Sequence, residues 1–226
     1  MRYEKGRKDA TRKHIVEVAS ARCRKDGVEA TGVVDLMADA GLTHGGFYSH
    51  FGSKEALVEA ATVAALEKGR AQLAKAAAAD GGVAGIVRAY LRPVHRDRPD
   101  RGCAFASLTS EIARGRGTTR AAMAREFNAH IDLIAAHLPG GDRSVAIAIF
   151  SVMMGAIQLA RIVEDQTLSD RILESGAHAA LTLADDARPS SPLLSPANRQ
   201  SSAPTDSPDL PSPHDPAADR TERGRF

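Results

Sequence analysis

Apolar residues recur at three- and four-residue steps along most of the chain, which is the spacing of amphipathic helices, and alternating β-branched residues are scarce. Alanine is abundant, and it favours helices and allows them to pack closely. Glycine and proline interrupt the pattern between the apolar segments. The sequence therefore predicts an all-α fold of about nine helices, over residues 11–26, 32–40, 44–50, 53–79, 83–95, 103–114, 118–138, 142–163 and 168–184.

A glycine-centred turn lies between the second and third predicted helices. Gly41 stands where a chain leaving a helix usually adopts a left-handed conformation, and Thr43 is placed to cap the next helix through its hydroxyl. Phe47 and Phe51 form one inward apolar stripe. The other faces carry residues that could face a duplex: Thr43, His44, Gly45, Tyr48 and His50. This arrangement predicts a DNA-binding helix-turn-helix, although such corners also occur in ordinary helical bundles.

The residues around this turn resemble a known family, the TetR/AcrR family of transcriptional regulators. Three motifs carry the resemblance: Gly41-Leu42-Thr43, Phe47-Tyr48-Ser49-His50-Phe51 and Ser53-Lys54-Glu55-Ala56-Leu57. The close match covers about residues 11–58, and beyond it the resemblance is one of architecture only. Cys23 departs from the family pattern, which usually has a large aromatic residue there, and we expect it to be a small core residue.

The resemblance implies an N-terminal three-helix helix-turn-helix domain, a C-terminal helical domain for effector binding and dimerisation, and repression as the usual mode of action. It also implies that Tyr48, His50 and Lys54 anchor DNA phosphates. Thr43 and His44, at the start of the third helix, are candidates for base-edge or phosphate contacts, and Gly45 lets the backbone approach the groove. A dimer would present two such helices about 34 Å apart, so a palindromic double-stranded operator is expected.

The overall charge is nearly balanced, but its distribution is not. The formal net charge is only +2, which says little about a polyanionic partner. A basic run precedes the first predicted helix: Arg2, Lys5, Arg7, Lys8, Arg12 and Lys13. Such a run is often a solvated tail, but beside a helix-turn-helix a phosphate-contacting arm is the better interpretation.

The last two predicted helices are the most apolar part of the chain. Residues 144–160 carry no formal charge, yet they fall short of the roughly 20 residues that a membrane span needs, so we expect a buried bundle helix and no membrane. This helix is apolar on nearly every side and predicts burial on nearly every side. A monomer has difficulty covering both helices, which predicts a homodimer through residues 142–184.

An effector pocket is expected between the helices of the C-terminal domain, for an unknown small apolar molecule. The candidate lining residues are Cys103, Phe105, Leu108, Met123, Phe127, Ile131, Met153 and Ile157. Each could equally fill the core, which is the ordinary role of such residues. Cys103 opens a predicted helix beside Arg101, an arrangement that can lower a thiol pKa, so a thiol-reactive effector is a further hypothesis.

The remaining features limit the function classes. Two cysteines without a C-x-x-C motif, and an N-terminus without an apolar signal sequence, indicate the cytoplasm. No catalytic or metal-binding motif occurs, so neither an enzyme nor a cofactor is expected. The predicted domains are residues 1–52, which include the basic arm, residues 53–186, and a disordered Pro/Ser-rich tail over residues 187–226. The alternative function is a helical dimeric adaptor that does not read DNA.

Overall fold

The computed structural model describes residues 2–115 and 117–187, with side chains from residue 6 onward. Over these ranges the chain is all-helical, which confirms the predicted fold class. The nine α-helices are α1 (Arg2–Asp26), α2 (Val33–Asp39), α3 (Lys54–Ala79), α4 (Val83–Tyr90), α5 (Pro93–Asp97), α6 (Ala104–Arg114), α7 (Thr118–Ala135), α8 (Arg143–Ile162) and α9 (Gln166–Asp186). Short 3-10 helices occupy His44–Ser49, Pro99–Arg101 and Pro139–Gly141. From residue 188 on, the predicted tail lies outside the described residues.

The first helix begins earlier than predicted, because α1 starts at Arg2 and not at Thr11. The Thr11 hydroxyl does not cap a helix end but donates back to the Arg7 carbonyl at 3.0 Å, as hydroxyl groups do inside helices. The basic run therefore lies within α1, and the expectation of an arm ahead of the first helix is wrong. The predicted end at Asp26 is confirmed, with Gly27 following at φ 90°.

The predicted helix over residues 83–95 is two helices, α4 and α5. Arg92 between them is extended, at φ −99° and ψ 147°, because the residue before a proline is excluded from the helical region by the ring of Pro93. The seventh predicted helix also ends early, at Ala135 and not at residue 138. The break before Pro93 turns the chain into the 92–103 segment, beside the cavity described below.

Two hydrophobic clusters organise the described residues. The first joins α1, α2, the 3-10 helix His44–Ser49 and the start of α3 around Phe47 and Phe51. The second joins the remainder of α3 with α4 and α6–α9 around Phe105 and Phe150. Helix α3 contributes to both clusters, and α1 also reaches the second one through Cys23, so both helices connect the two halves. The predicted boundary at residue 52 stays a prediction.

Helices α8 and α9 pack closely on one another. A Cβ on Gly176 would come within 2.5 Å of the Ala156 Cβ, so only glycine allows this approach. Both helices have an aspartate cap: Asp142 Oδ1 accepts from the Ser144 amide at 2.8 Å, and Asp165 Oδ1 from the Thr167 amide at 2.8 Å. The cap at Asp142 agrees with the predicted start of the eighth helix at residue 142.

One face of this helix pair is apolar and uncovered in the single chain. In the single chain α8 is not buried on every side, because Ile147, Leu159 and Ile162 are 42%, 53% and 75% exposed. The expected burial depends on a dimer and stays a prediction. Among the described residues, α8 is also the one helix long and apolar enough, by length and composition alone, to cross a membrane. The core helices of soluble proteins pass the same test.

Candidate nucleic-acid interface and adjoining cavity

The turn after α2 has the geometry that the sequence predicts. Gly41 adopts φ 67°, a left-handed conformation that glycine reaches without a steric cost. The Gly41 amide donates to the Ala38 carbonyl at 2.9 Å and the Leu42 amide to the Met37 carbonyl at 2.8 Å. These bonds satisfy carbonyls at the end of α2 and direct the chain into the next helical segment.

That next segment, His44–Ser49, is a 3-10 helix and not the predicted α-helix. Gly45 and Gly46 favour helices weakly, so the short segment takes the tighter winding that is common in brief helical pieces. Thr43 occupies the cap position, but its side chain accepts no backbone hydrogen bond, so the expected capping role of its hydroxyl is wrong. Ser53 does cap α3, accepting from the Ala56 amide at 3.1 Å.

Two phenylalanines hold the 3-10 helix on the domain. Phe47 and Phe51 are 1% and 3% exposed, with ring centroids 5.9 Å apart. The guanidinium of Arg12 lies 4.0 Å from the Phe51 ring centroid and donates to the His50 carbonyl. One side chain of α1 therefore fixes the end of the segment through both a ring contact and a backbone hydrogen bond.

The opposite side of the segment is polar and open. Thr43, His44 and Gly45 are exposed, and Tyr48 is 68% exposed, with its ring 6.0 Å from that of His44 in an edge contact. A Cβ on Gly45 would meet nothing within 4 Å. The structure thus brings these four predicted site residues onto one short surface segment, beside the buried phenylalanines.

The other two predicted contact residues lie at its edge and are half-buried. His50 follows the 3-10 helix, and its Nδ1 is buried without a hydrogen-bond partner in the described part of the chain. Lys54 is the first residue of α3, where Ser53 caps the helix. A half-buried imidazole with one unsatisfied nitrogen is oriented by packing and not by a protein hydrogen bond.

Two polar contacts connect this N-terminal region to later helices, and sequence reasoning missed both. The Glu111 carboxylate accepts from the Val28 amide at 2.9 Å and from the Glu29 amide at 2.6 Å. Arg24 Nε donates to the Asp100 carbonyl at 3.1 Å. Both pairs join residues more than seventy positions apart, so no local pattern could have found them.

The predicted effector-pocket residues mostly fill the second hydrophobic cluster. Six of them are buried there: Phe105, Leu108, Met123, Ile131, Met153 and Ile157. Phe127 is partly buried and packs against the same cluster, with its ring 6.1 Å from that of Phe105. Cys103 is the one of the eight that lines the cavity described next.

A cavity of about 1250 Å³ lies elsewhere, between α1, α3, the end of α4, the 92–103 segment and His130 of α7. At its wall, His95 Nε2 accepts from the Cys103 amide at 2.9 Å, and His95 Nδ1 lies 2.6 Å from the Tyr90 carbonyl. Since a carbonyl only accepts, Nδ1 carries the proton and both nitrogens of the neutral ring are used. Burial lowers the pKa of His95 to about 4.

The Cys103 thiol is not activated by its neighbours. Burial raises its pKa above the ordinary value, despite a smaller opposing effect of Tyr90 and nearby amides. Arg101, the residue expected to lower the thiol pKa, has a side chain that is 75% exposed, and its Nε lies 3.7 Å from Asp100 Oδ2. The expectation of a lowered thiol pKa at Cys103 is therefore wrong.

A short helix that buries Phe47 on one side and exposes polar residues on the other, placed after a tight glycine turn, has the form of the recognition element of a helix-turn-helix. The class defined by this fold and this site is a helical DNA-binding protein. Residues 15–61 match the family described as bacterial regulatory proteins, tetR family. Comparison of the sequence with curated proteins finds no match.

Several solved structures similar to this chain are described as TetR-family transcriptional regulators. A TetR transcriptional regulator from Chloroflexus aurantiacus is 26% identical, with a TM-score of 0.67 over 80% of this chain and 96% of that one. The reduced form of NemR from E. coli is 21% identical, with a TM-score of 0.65 over 76% and 96% of the two chains. SCO4454 from Streptomyces coelicolor, a TetR-family transcriptional regulator, is 20% identical, with a TM-score of 0.63 over 78% and 95%. These findings confirm the resemblance: the chain carries the TetR-family helix-turn-helix domain and the fold of that family's transcriptional regulators.

Proposed function

We propose that the protein is a ligand-responsive transcriptional repressor that binds a palindromic operator as a homodimer and is released by a small-molecule effector. The observation that carries this proposal is the two-sided 44–49 segment, in which Tyr48 is 68% exposed while the adjacent Phe47 is 1% exposed. Because burial of Phe47 fixes the segment, the adjacent Tyr48 points into solvent. A large aromatic residue with a polar hydroxyl in this position fits an interface with a hydrogen-bonding partner.

Each residue of the segment has a proposed role on DNA. The Tyr48 hydroxyl, the His50 imidazole and the Lys54 ammonium would anchor phosphates, which set position but not sequence. Thr43 and His44, exposed at the start of the 3-10 helix, would contact base edges or nearby phosphates. Gly45 would let the backbone approach the groove, because open space surrounds its Cα on the outer side.

The homodimer would form through residues 142–184. Supporting this, the exposed apolar side chains of α8 and α9 include Leu159 at 53% and Leu168 at 45%. Burial of such a face between two copies is favourable at about 25 cal/mol per Å² of apolar surface. The two reading segments would then meet successive major grooves about 34 Å apart.

Release by an effector requires a second form of the dimer, in which the two reading segments are spaced differently from those in the DNA-bound form. To reverse occupancy from 99:1 to 1:99, the effector must favour the released state by about 5.5 kcal/mol. The packed residues around Phe105 stay candidates for an apolar effector, but the open cavity at Cys103 is the better site because it already has room for a ligand. The proposed function includes no catalytic step, and the proposed location of the protein is the cytoplasm.

The test is selection of bound duplexes from fragments of the source genome, followed by footprinting. We expect enrichment of one imperfect palindrome that is protected on two half-sites. The double variant Tyr48→Phe, His50→Ala should lose this binding, while Lys75→Ala, an exposed lysine at the far end of α3, should keep it. Weak binding that is equal on every duplex would instead favour the dimeric adaptor.

A further inference from the structure

The cavity beside Cys103 has a size and position suited to a ligand. Its volume of about 1250 Å³ exceeds that of ordinary small-molecule sites, roughly 300–1000 Å³. It is bounded by α1 on one side and by α3, α4 and the 92–103 segment on the others. The cavity is therefore in contact with the helix-turn-helix domain through α1.

The charges that line the cavity are unbalanced. Four cations on its wall take part in no salt bridge among the described residues: Lys13, Arg24, Lys68 and Arg92. Two carboxylates also line it, Glu17 and Asp100, and Asp100 is already paired with Arg98 at 2.9 Å. The cavity wall therefore carries an excess of positive charge.

Arg24 is the most confined of these cations. It is half-buried, and its guanidinium donates to the Asp100 carbonyl and to Ser20 Oγ, the latter at 2.6 Å. Neither partner carries a charge. Burial lowers the pKa of Arg24 more than the charge of the nearby Asp100 carboxylate raises it, and Arg24 forms no salt bridge in the described part of the chain, so the guanidinium lacks a directly paired counterion. A carboxylate on a ligand would supply that counterion, and guanidinium–carboxylate pairs are strong.

The inner wall offers apolar surface and two unused polar atoms. Apolar side chains of α3 and the end of α4, most of them alanines, line the cavity: Ala64, Ala65, Leu73, Ala76 and Ala89. Tyr90 is 3% exposed and lines the cavity; its Oη makes no hydrogen bond of ordinary geometry to the described residues, although it lies close enough to the Cys103 thiol to lower the pKa of that thiol. His130 is 1% exposed, and its Nδ1 lies 2.8 Å from the Glu126 carbonyl, so the proton is on Nδ1 and Nε2 is an acceptor.

We propose that this cavity binds an amphipathic carboxylate, with its anionic group at Arg24 and its apolar body along the alanine-rich wall of α3. Tyr90 Oη would donate to a polar atom of the ligand. An uncharged apolar molecule would leave the cations uncompensated, and a cationic one would be repelled by them. The ligand would act as the effector of the proposed repressor, and in that respect the inference rests on the proposed function.

The position of Arg24 gives the ligand a physical route to the DNA-binding domain. Arg24 belongs to α1 and holds the 98–101 segment through the Asp100 carbonyl. A carboxylate that accepts from the same guanidinium competes with this carbonyl. Occupancy of the cavity would then alter the contact between α1 and the 98–101 segment, and with it the placement of the reading segment.

The test measures binding to the full-length protein by calorimetry with a series of probes that share one alkyl chain. Decanoate carries a negative head group, decan-1-ol a neutral one and decyltrimethylammonium a positive one. We expect decanoate to bind about tenfold or more tightly than either of the others. Octanoate and dodecanoate extend the series, so that a preference for another chain length is detected.

Variants locate the site. Arg24→Met and, independently, Arg92→Met should weaken decanoate binding about tenfold and leave decan-1-ol binding unchanged. The exposed Arg125→Met on α7, outside the cavity, is the matched control and should bind as the wild type does. Arg92 is exposed, so its variant keeps the test valid if Arg24→Met fails to fold.

Equal affinity for the three head groups, no binding by any carboxylate, or full decanoate affinity in both arginine variants would overturn the proposal. A parallel titration of the protein–DNA complex separates the two claims. Decanoate that binds at this site but leaves the DNA complex intact would uphold the site and reject its role as an effector site. A protein that binds decanoate and no specific DNA would reject the proposed function alone.

Discussion

Burial is the largest cause of the pKa shifts of the side chains around the cavity. The neutral His95 ring uses both nitrogens, one with the Tyr90 carbonyl and one with the Cys103 amide. A protonated ring would lose its acceptor and would face Arg161 and Arg92, which also lower its pKa. A single imidazole thereby fixes the chain reversal between α4 and α6.

This histidine makes stability depend on pH. Since the pKa of His95 is about 4 in the folded protein and about 6.5 when exposed, the unfolded chain binds more protons between these values. Stability is therefore full above pH ~6.5 and is lost as the pH falls toward ~4, by on the order of 3 kcal/mol at most. The free energy of unfolding, measured with urea across this range, should depend less steeply on pH in His95→Gln than in the wild type. The exposed His14→Gln should show the same pH dependence as the wild type. Identical slopes in all three proteins would contradict this role.

Cys103 should be a slow thiol in the native protein. Because burial raises its pKa, the thiolate fraction at neutral pH is smaller than for an exposed cysteine. In a Cys23→Ser background, we expect reaction with a disulfide reagent to be at least about tenfold slower in the folded protein than in urea. Addition of Cys103→Ser to this background should abolish the reaction, which assigns it to the Cys103 thiol. A native rate faster than that of the unfolded chain would restore the thiol-sensor hypothesis.

At the scale of elements, Glu111 holds the start of the helix-turn-helix region against α6. Its carboxylate accepts from two consecutive amides, at Val28 and Glu29. Glu111→Ala leaves these donors without a protein partner and should lower the free energy of unfolding by about 1–2 kcal/mol, measured by urea denaturation. Glu111→Gln keeps one acceptor oxygen and should cost less, and Ser110→Ala on the exposed side should cost almost nothing. Equal stability of all three variants would show that this contact does not stabilise the fold.

Helix ends set by neighbouring residues could be predicted from the sequence. The left-handed Gly41 and the caps at Ser53 and Asp142 each depend on residues within three positions, and the structure has all three. The break before Pro93 follows from an equally local rule, but the apolar pattern runs across it and conceals it. The predicted helix start at Thr11 is wrong because a threonine hydroxyl can either accept from an amide at a helix start or donate to a carbonyl of the preceding turn.

The DNA-contact segment could be predicted from the sequence, whereas the cavity could not. The exposed residues of the 43–50 segment follow from a four-residue apolar spacing, which places Tyr48 opposite the buried stripe. The cavity does not, because Arg24, Tyr90 and His130 come together only through the packing of three helices. Side chains such as Phe105 have the composition expected of a pocket wall, yet they pack into the second hydrophobic cluster.

At the scale of the whole molecule, the proposed homodimer would cover the exposed apolar face of α8 and α9. We expect the wild-type protein to sediment as a dimer, since Leu159 and Ile162 would otherwise remain in water. Leu159→Glu places a charge in that interface and should give monomers in analytical ultracentrifugation. Val34→Glu, at a position that is 61% exposed on α2, is the matched control and should stay dimeric. A monomeric wild-type protein would contradict the proposed assembly.

The proposed reading of DNA by the 43–50 segment and the start of α3 is tested most directly by the salt dependence of operator binding. Fluorescence anisotropy on the selected duplex would give the dissociation constant over a series of salt concentrations. A phosphate-anchored reader should bind the palindrome far more tightly than a scrambled duplex, and its affinity should fall linearly on a double-logarithmic plot. Lys54→Ala should reduce the slope by about 1 for each protomer, and Lys75→Ala should not change it. An unchanged slope in Lys54→Ala, or equal affinity for both duplexes, would contradict the account.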